Sequence, residues 1–212
     1  MTNRSDSDSD SIRKPKTQQH ADLVNAQMRD IFQTPNYATK ILLPYIPKNI
    51  THIWECACGN FKMVDVFLEN GYGVTATDLY EGWEGEYRRP YYAKHNFITH
   101  EMDIKQSDKQ CGAIITNPPY SLKEKFYNKC RAYNMPFALL IPADYCGWLI
   151  KALQDGCEKI IPTRRIDFIT PNGKDGSSGS TSQFHSMWLT WGFNLGKTET
   201  FVELTSEMKK DI

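Results

Sequence analysis

From Thr51 onward the chain alternates short apolar runs with amphipathic stretches, and this alternation limits its fold more than any other feature. Residues 52–56, 74–78, 113–116 and 137–141 each read as a short buried strand, with 97–103 a further candidate. Residues 62–70, 122–133 and 145–154 read as helices between them. Strands alternating with helices need a parallel sheet covered on both faces. Two late strands, near 166–169 and 187–192, are joined by a polar Gly/Ser-rich loop at 171–183, which predicts an antiparallel hairpin at the sheet edge. Upstream, helices are expected over 20–32 and 36–45, the second with Thr34 as N-cap and Pro35 in its first turn. Residues 1–18, rich in Ser, Asp and Lys, read as a disordered tail. The expected organisation is one domain over 19–200, a C-terminal tail over 201–212, and no separate target-recognition domain.

Lys+Arg and Asp+Glu are 25 each, so net charge gives no nucleic-acid signature, although a local basic patch is compatible with that balance. No apolar run approaches the roughly eighteen residues of a membrane span. The N-terminus lacks the basic-then-apolar order of a secretory signal. The six cysteines form no CxxC pair and no Cys/His metal spacing. These features predict an intracellular, cytoplasmic protein with no metal and no membrane partner.

Asn117-Pro118-Pro119-Tyr120 follows the apolar run Ala113–Thr116 and so falls at a strand's carboxyl end, where open α/β sheets bind ligands. Two prolines remove two backbone donors and leave carbonyls as pure acceptors. Asn117 adds a side-chain carbonyl and Tyr120 a flat ring. The set suits a planar group carrying an exocyclic NH2, with two acceptors for its N–H bonds and one face to stack on it. A plain proline-rich turn is the alternative at this point.

Three acids, Glu55, Asp78 and Asp103, fall at or just past strand ends and so should share the crevice with Asn117. Ala57-Cys58-Gly59-Asn60 reads as a tight turn opening a helix, whose N–H groups would face a ligand. An acid ending the second strand commonly holds ribose hydroxyls in such sheets. The turn lacks the glycine set of a phosphate site, so a nucleoside without phosphates fits better than NAD. Taken singly, each acid is equally a solvated loop carboxylate.

The ordered set Glu55-Cys56-Ala57-Cys58-Gly59-Asn60, Asp78, Asp103 and Asn117-Pro118-Pro119-Tyr120 resembles S-adenosylmethionine-dependent amino-methyltransferases, in particular the N6-adenine DNA methyltransferases of phage or restriction–modification type. Gln33-Thr34-Pro35 is similar to the Thr-Pro segment that precedes the first strand there, and the likeness spans about residues 30–195. It implies a Rossmann-like class I methyltransferase fold: a mostly parallel seven-stranded sheet, an antiparallel C-terminal hairpin and helices on both faces. It implies that S-adenosyl-L-methionine is held by Thr34, Glu55, Ala57, Cys58, Gly59, Asp78 and Asp103, with Pro119 and Phe126 against its adenine ring. Asn117 and Pro118 would accept the target N–H bonds, Tyr120 would stack on the base, and Phe184 would face it, with Trp188 an equally good ring. The partner implied is DNA with a flipped-out adenine. Lys123, Lys125, Lys129 and Arg131 on one helix, with Arg88 and Arg89 among the tyrosines of the 80–95 loop, suit a backbone-and-stacking surface or a solvated face. With no recognition domain, specificity would come from the 80–95 or 171–183 loops, a partner protein or a second copy. Methylation of RNA adenine, methylation of a protein glutamine amide, and a non-catalytic nucleic-acid-binding subunit are the competing readings.

Overall fold

A computed structural model describes residues 32–79, 92–102, 112–169 and 184–211. Eight strands form one sheet: β1 (His52–Glu55), β2 (Gly73–Asp78), β3 (Tyr92–Lys94), β4 (Ala113–Thr116), β5 (Phe137–Pro142), β6 (Glu158–Pro162), β7 (Ser186–Trp191) and β8 (Glu199–Val202). Their order is β3-β2-β1-β4-β5-β7-β6-β8. β7 pairs antiparallel with both β5 and β6, and every other pairing is parallel.

The helices are α1 (Asn36–Lys40), α2 (Lys62–Glu69), α3 (Lys123–Tyr133) and α4 (Gly147–Gln154). Alternate strand residues feed two cores. Ile53, Ile115, Leu140 and Trp188 meet α1 and α2, while Trp54, Ile114, Leu139 and Leu189 meet α3 and α4. β1, β4 and β5 are buried along their whole length, as strands covered on both faces must be. Trp188 fixes α1 to the sheet, since its fully buried indole N–H donates to the Ala38 carbonyl at 3.0 Å.

Several expectations need correction. Residues 97–102 form no strand; the third strand is Tyr92–Lys94, inside the stretch read as an aromatic loop. Phe97 is buried against Trp54 and Phe126, so its apolarity reflects core packing and not strand pairing. The 166–169 run makes only an isolated bridge, Ile169 to Gln33. The hairpin partner of β7 is β6, whose sequence Glu158-Lys159-Ile160-Ile161-Pro162 hides a strand behind a charged pair. Lys159 is 2 % exposed there, with its ammonium bonded to the Tyr145 hydroxyl at 2.6 Å and to Glu199.

β8 makes the sheet eight-stranded and not seven, and Leu204 beyond it is fully buried, so the fold runs past the boundary expected at 200. The helix expected over 36–45 is a short α1 followed by a 3-10 turn, Leu43–Tyr45, and its N-cap is Pro35, not Thr34. α4 starts two residues later than expected, at Gly147. The tail at 1–18 and nearly all of the 20–32 helix lie outside the described residues.

Trp188→Ala should cost about 3–5 kcal/mol, because it empties a fully buried site and removes the α1 tether. Phe201→Ala, at a side chain 65 % exposed, should change stability by no more than about 0.5 kcal/mol. Urea denaturation of the two variants checks the contrast.

Candidate active site

The carboxyl ends of β1, β2 and β4 converge because β1 lies between the other two in parallel register. Glu55 ends β1 and is fully buried. Its Oε1 accepts hydrogen bonds from the Thr116 hydroxyl at 2.5 Å and the Ala57 N–H at 3.1 Å. Its Oε2 is buried with no partner. Desolvation pushes its pKa up to about 8, against the opposing pull of those two donors, with the Asp78 carboxylate adding to the rise.

The 57–60 turn is bonded inward. Cys58 N–H donates to the Thr77 carbonyl at 3.0 Å, Gly59 N–H to Asp78 Oδ2 at 2.9 Å and Asn60 N–H to Gln33 Oε1 at 2.9 Å. The N–H groups expected to face a ligand therefore hold the turn to β2 and to residue 33. Gly59 has φ +47°, and a Cβ there would stand 2.4 Å from Gln33 Oε1, so no other residue fits without a shift. Phe61, the N-cap of α2, also takes a left-handed conformation at φ 67° and packs its ring edge-on to Tyr92. In a bulky residue that conformation stores on the order of 1–3 kcal/mol of strain.

At the end of β4, Asn117 Nδ2 donates to the Thr34 hydroxyl at 3.0 Å. Asn117 Oδ1 is buried and has no partner. Pro118 is buried and Pro119 half-buried. The Tyr120 ring lies edge-on to Phe184 at 5.4 Å and to Phe168 at 6.0 Å. Its hydroxyl lies against Ser186 without hydrogen-bond geometry, and burial raises its pKa. Phe184 lies two residues before the start of β7, whose first residue pairs with Pro142 at the end of β5, so it reaches the same rim as Asn117.

The structure thus brings together Thr34, Glu55, Ala57, Cys58, Gly59, Asp78, Asn117, Pro118, Pro119, Tyr120 and Phe184 at one end of the sheet. Trp188 belongs to the core, whereas Phe184 lies at the rim beside Tyr120 and Phe168. Phe126 is 4 % exposed and stacks on Phe97 at 4.8 Å. Lys123 pairs with Asp144 at 3.4 Å, Lys129 with Glu101 at 2.5 Å, and Arg131 lies over the Trp191 ring, so three of the four cations on α3 already have partners. Asp103, Arg88 and Arg89 lie outside the described residues. Sequence reasoning missed Phe168, which sits in a segment read as a strand, and Thr116, whose last-strand position before Asn117 was the available signal. Among the described residues no helix is long and apolar enough to cross a membrane.

No protein-family model and no curated protein sequence matches the chain. Solved structures do. A type I restriction–modification methyltransferase subunit from Streptococcus thermophilus superposes with TM-score 0.59 at 9% identity, over 89% of this chain and 54% of that one. The chain therefore spans about half the length of that subunit. A dimethyladenosine transferase from Plasmodium falciparum gives TM-score 0.46 at 12% identity, over 75% of this chain and 62% of that one. A TehB-like SAM-dependent methyltransferase from Corynebacterium glutamicum gives TM-score 0.42 at 12% identity, over 82% and 94% respectively. The likeness to the first establishes the architecture: a Rossmann-like, class I methyltransferase fold.

Glu55 makes stability depend on pH. Its carboxyl titrates near 8 when folded and near 4.5 when exposed, so between those values the unfolded chain has released a proton that the folded chain keeps. Stability should then fall as pH rises through that window, by up to about 4 kcal/mol. Glu55→Gln should flatten this slope. Urea midpoints of both proteins at pH 5 and pH 8 test it; parallel slopes would contradict it.

Proposed function

We propose that the chain is an S-adenosylmethionine-dependent methyltransferase acting on the exocyclic N6 amine of adenine in DNA. The observation that carries this reading is the buried, partnerless Asn117 Oδ1. A buried acceptor without a donor costs about 1–3 kcal/mol, and a bound N–H would relieve that cost. Pro118 and Pro119 beside it bring no N–H groups, so the rim is poor in donors where an amine would enter.

The residues present fit the cofactor. Glu55 Oε2, a second buried atom without a partner, suits a cationic amino group, whose charge would favour the ionised carboxylate over the protonated form, and Asp78 at the end of β2 suits ribose hydroxyls. Thr34, Ala57, Cys58, Gly59, Asp103, Pro119 and Phe126 complete the proposed cofactor set. When bound, S-adenosylmethionine supplies an electrophilic methyl group on a sulfonium.

The protein's own residues act on the amine. An aromatic amine is a weak nucleophile because its lone pair is delocalised into the ring. Acceptance of its two N–H bonds by Asn117 Oδ1 and the Pro118 carbonyl favours a pyramidal nitrogen with a localised lone pair. The nitrogen keeps both protons until its bond to carbon forms and then loses one, so no general base is needed beforehand. Orientation and preorganised acceptors supply the rate enhancement.

Tyr120, Phe168 and Phe184 form an aromatic wall at the same rim, which favours a flat base over a glutamine amide. An adenine must leave the duplex stack to reach it. Lys123, Arg88 and Arg89 are proposed backbone contacts, and a partner protein or second copy is the proposed source of sequence recognition.

Labelled S-adenosylmethionine, offered with duplex DNA, single-stranded DNA, RNA and protein, should transfer label to DNA and yield N6-methyladenine on nucleoside analysis. Label confined to RNA or protein would replace the substrate named here. Asn117→Ala should reduce transfer by at least about a hundredfold while cofactor affinity changes little. Binding calorimetry provides the second readout.

A further inference from the structure

We propose that the outer edge of β8 is a self-complementary surface on which two copies of this chain pair antiparallel, with Thr200 on the two-fold axis. The inference stands apart from the catalytic reading above and is tested without it.

β8 is the last strand on its side of the sheet, and among the described residues its one strand neighbour is β6. An unpaired edge is a template for another strand, and proteins commonly blunt it with a lysine, a proline or a bulge. β8 reads Glu199-Thr200-Phe201-Val202 and pairs with β6 in unbroken register, so it carries none of these. The charge of Glu199 is already met by the buried Lys159 ammonium. Phe201 is the most exposed large apolar side chain among the described residues. Beside this edge lies a groove of about 470 Å³, lined by Pro44, Tyr45, Phe193 and Leu195 and by β8 itself, which gives an incoming strand room to lie down.

Hydrogen-bond direction and charge together select one register for a second copy. Successive residues of a strand turn their backbone N–H and C=O groups to opposite sides. The Thr198 and Val202 carbonyls accept the Lys159 and Thr163 N–H groups, each at 2.8 Å, so the even-numbered residues of β8 face β6. Glu199 and Phe201 therefore direct their backbone groups outward. With Thr200 on the axis, Glu199 of each copy stands opposite Phe201 of the other, and each such pair exchanges two hydrogen bonds. At the two ends of the ladder, exposed Lys197 stands opposite exposed Glu203 of the second copy. Sliding the copy by two residues sets Glu199 opposite Glu203 in one direction and opposite its own counterpart in the other. Both place like charges face to face. Sliding it by one residue turns the outward backbone groups toward residues already bonded to β6 and exchanges the two faces of the strand.

The side chains agree with this register. The Glu199 carboxylate and the Tyr145 hydroxyl meet at Lys159 Nζ, so Phe201 of the second copy, opposite Glu199, comes beside the exposed Tyr145 ring. The two Phe201 rings stand diagonally across the axis, within reach of each other. Strand direction reverses across the axis, so the two candidate active sites face opposite ways and a copy seated here adds no residue to either.

Sedimentation equilibrium of the full chain at low salt should show a reversible monomer–dimer equilibrium in the micromolar range, as suits a small interface. Phe201→Pro removes an outward N–H while sparing the β6 ladder, and should leave only monomer. Lys197→Glu and Glu203→Lys each set two like-charged pairs in the dimer and should each weaken association about tenfold. The double variant Lys197→Glu/Glu203→Lys re-forms both pairs and should restore the wild-type dissociation constant. Thermal melts in dilute solution, where the chain is monomeric and Phe201 contributes little to stability, confirm folding of each variant. If Phe201→Pro does not fold, the charge exchange decides alone. A chain that stays monomeric throughout the micromolar range overturns the proposal. So does a dimer that survives Phe201→Pro, or one that the single charge reversals do not weaken or the double variant does not restore.

Discussion

The hydrogen bond from Thr116 to Glu55 joins the end of β4 to the end of β1, and the rest of the site is built around that junction. It places a fully buried carboxyl between two strands that carry the two halves of the site. On one side, the Glu55 carboxyl also takes the Ala57 N–H and so starts the turn that Asp78 and Gln33 complete. On the other, Thr116 leads directly into Asn117 and the two prolines. Burial keeps Glu55 protonated near neutral pH, which lets an acid sit at the centre of a sheet without a permanent counter-charge.

Two buried oxygens without partners, Glu55 Oε2 and Asn117 Oδ1, mark the two ends of this arrangement. Unpaired acceptors inside a protein are uncommon because each weakens the fold. Their occurrence at the rim where three strand ends meet, beside an aromatic trio, is the physical basis for placing a cation and an amine there. Gln33 and Thr34 lie at the same rim and bond to both halves of the site. The Rossmann-like sheet supplies the rigid frame that holds these groups in register.

Much of this was legible in the sequence because the relevant signals were local. β4 and β5 are near-continuous apolar runs, β1 and β2 carry β-branched and aromatic residues between turn signals, and Asn117-Pro118-Pro119-Tyr120 announces itself by composition. What escaped was non-local. β6 begins with Glu158-Lys159, and only the Tyr145 and Glu199 side chains, from elsewhere in the chain, make a buried lysine tolerable in a strand. Phe97 looked like a strand residue because apolarity alone does not distinguish ladder pairing from packing under a helix. Trp188 and Phe184 were equivalent as aromatic residues until the Ala38 carbonyl assigned the indole to the core. Thr34 resembled a helix cap by its position before Pro35, whereas its hydroxyl serves a residue on a distant strand end.

The central claim is that Asn117 Oδ1 receives an exocyclic amine, and a crystal structure with S-adenosylhomocysteine and an adenine-containing oligonucleotide tests it most directly. The expected result is an extrahelical adenine against Tyr120, its N6 about 3 Å from both Asn117 Oδ1 and the Pro118 carbonyl. An Asn117 oxygen bonded to the cofactor or to a protein donor, with the adenine bound elsewhere, would contradict the account.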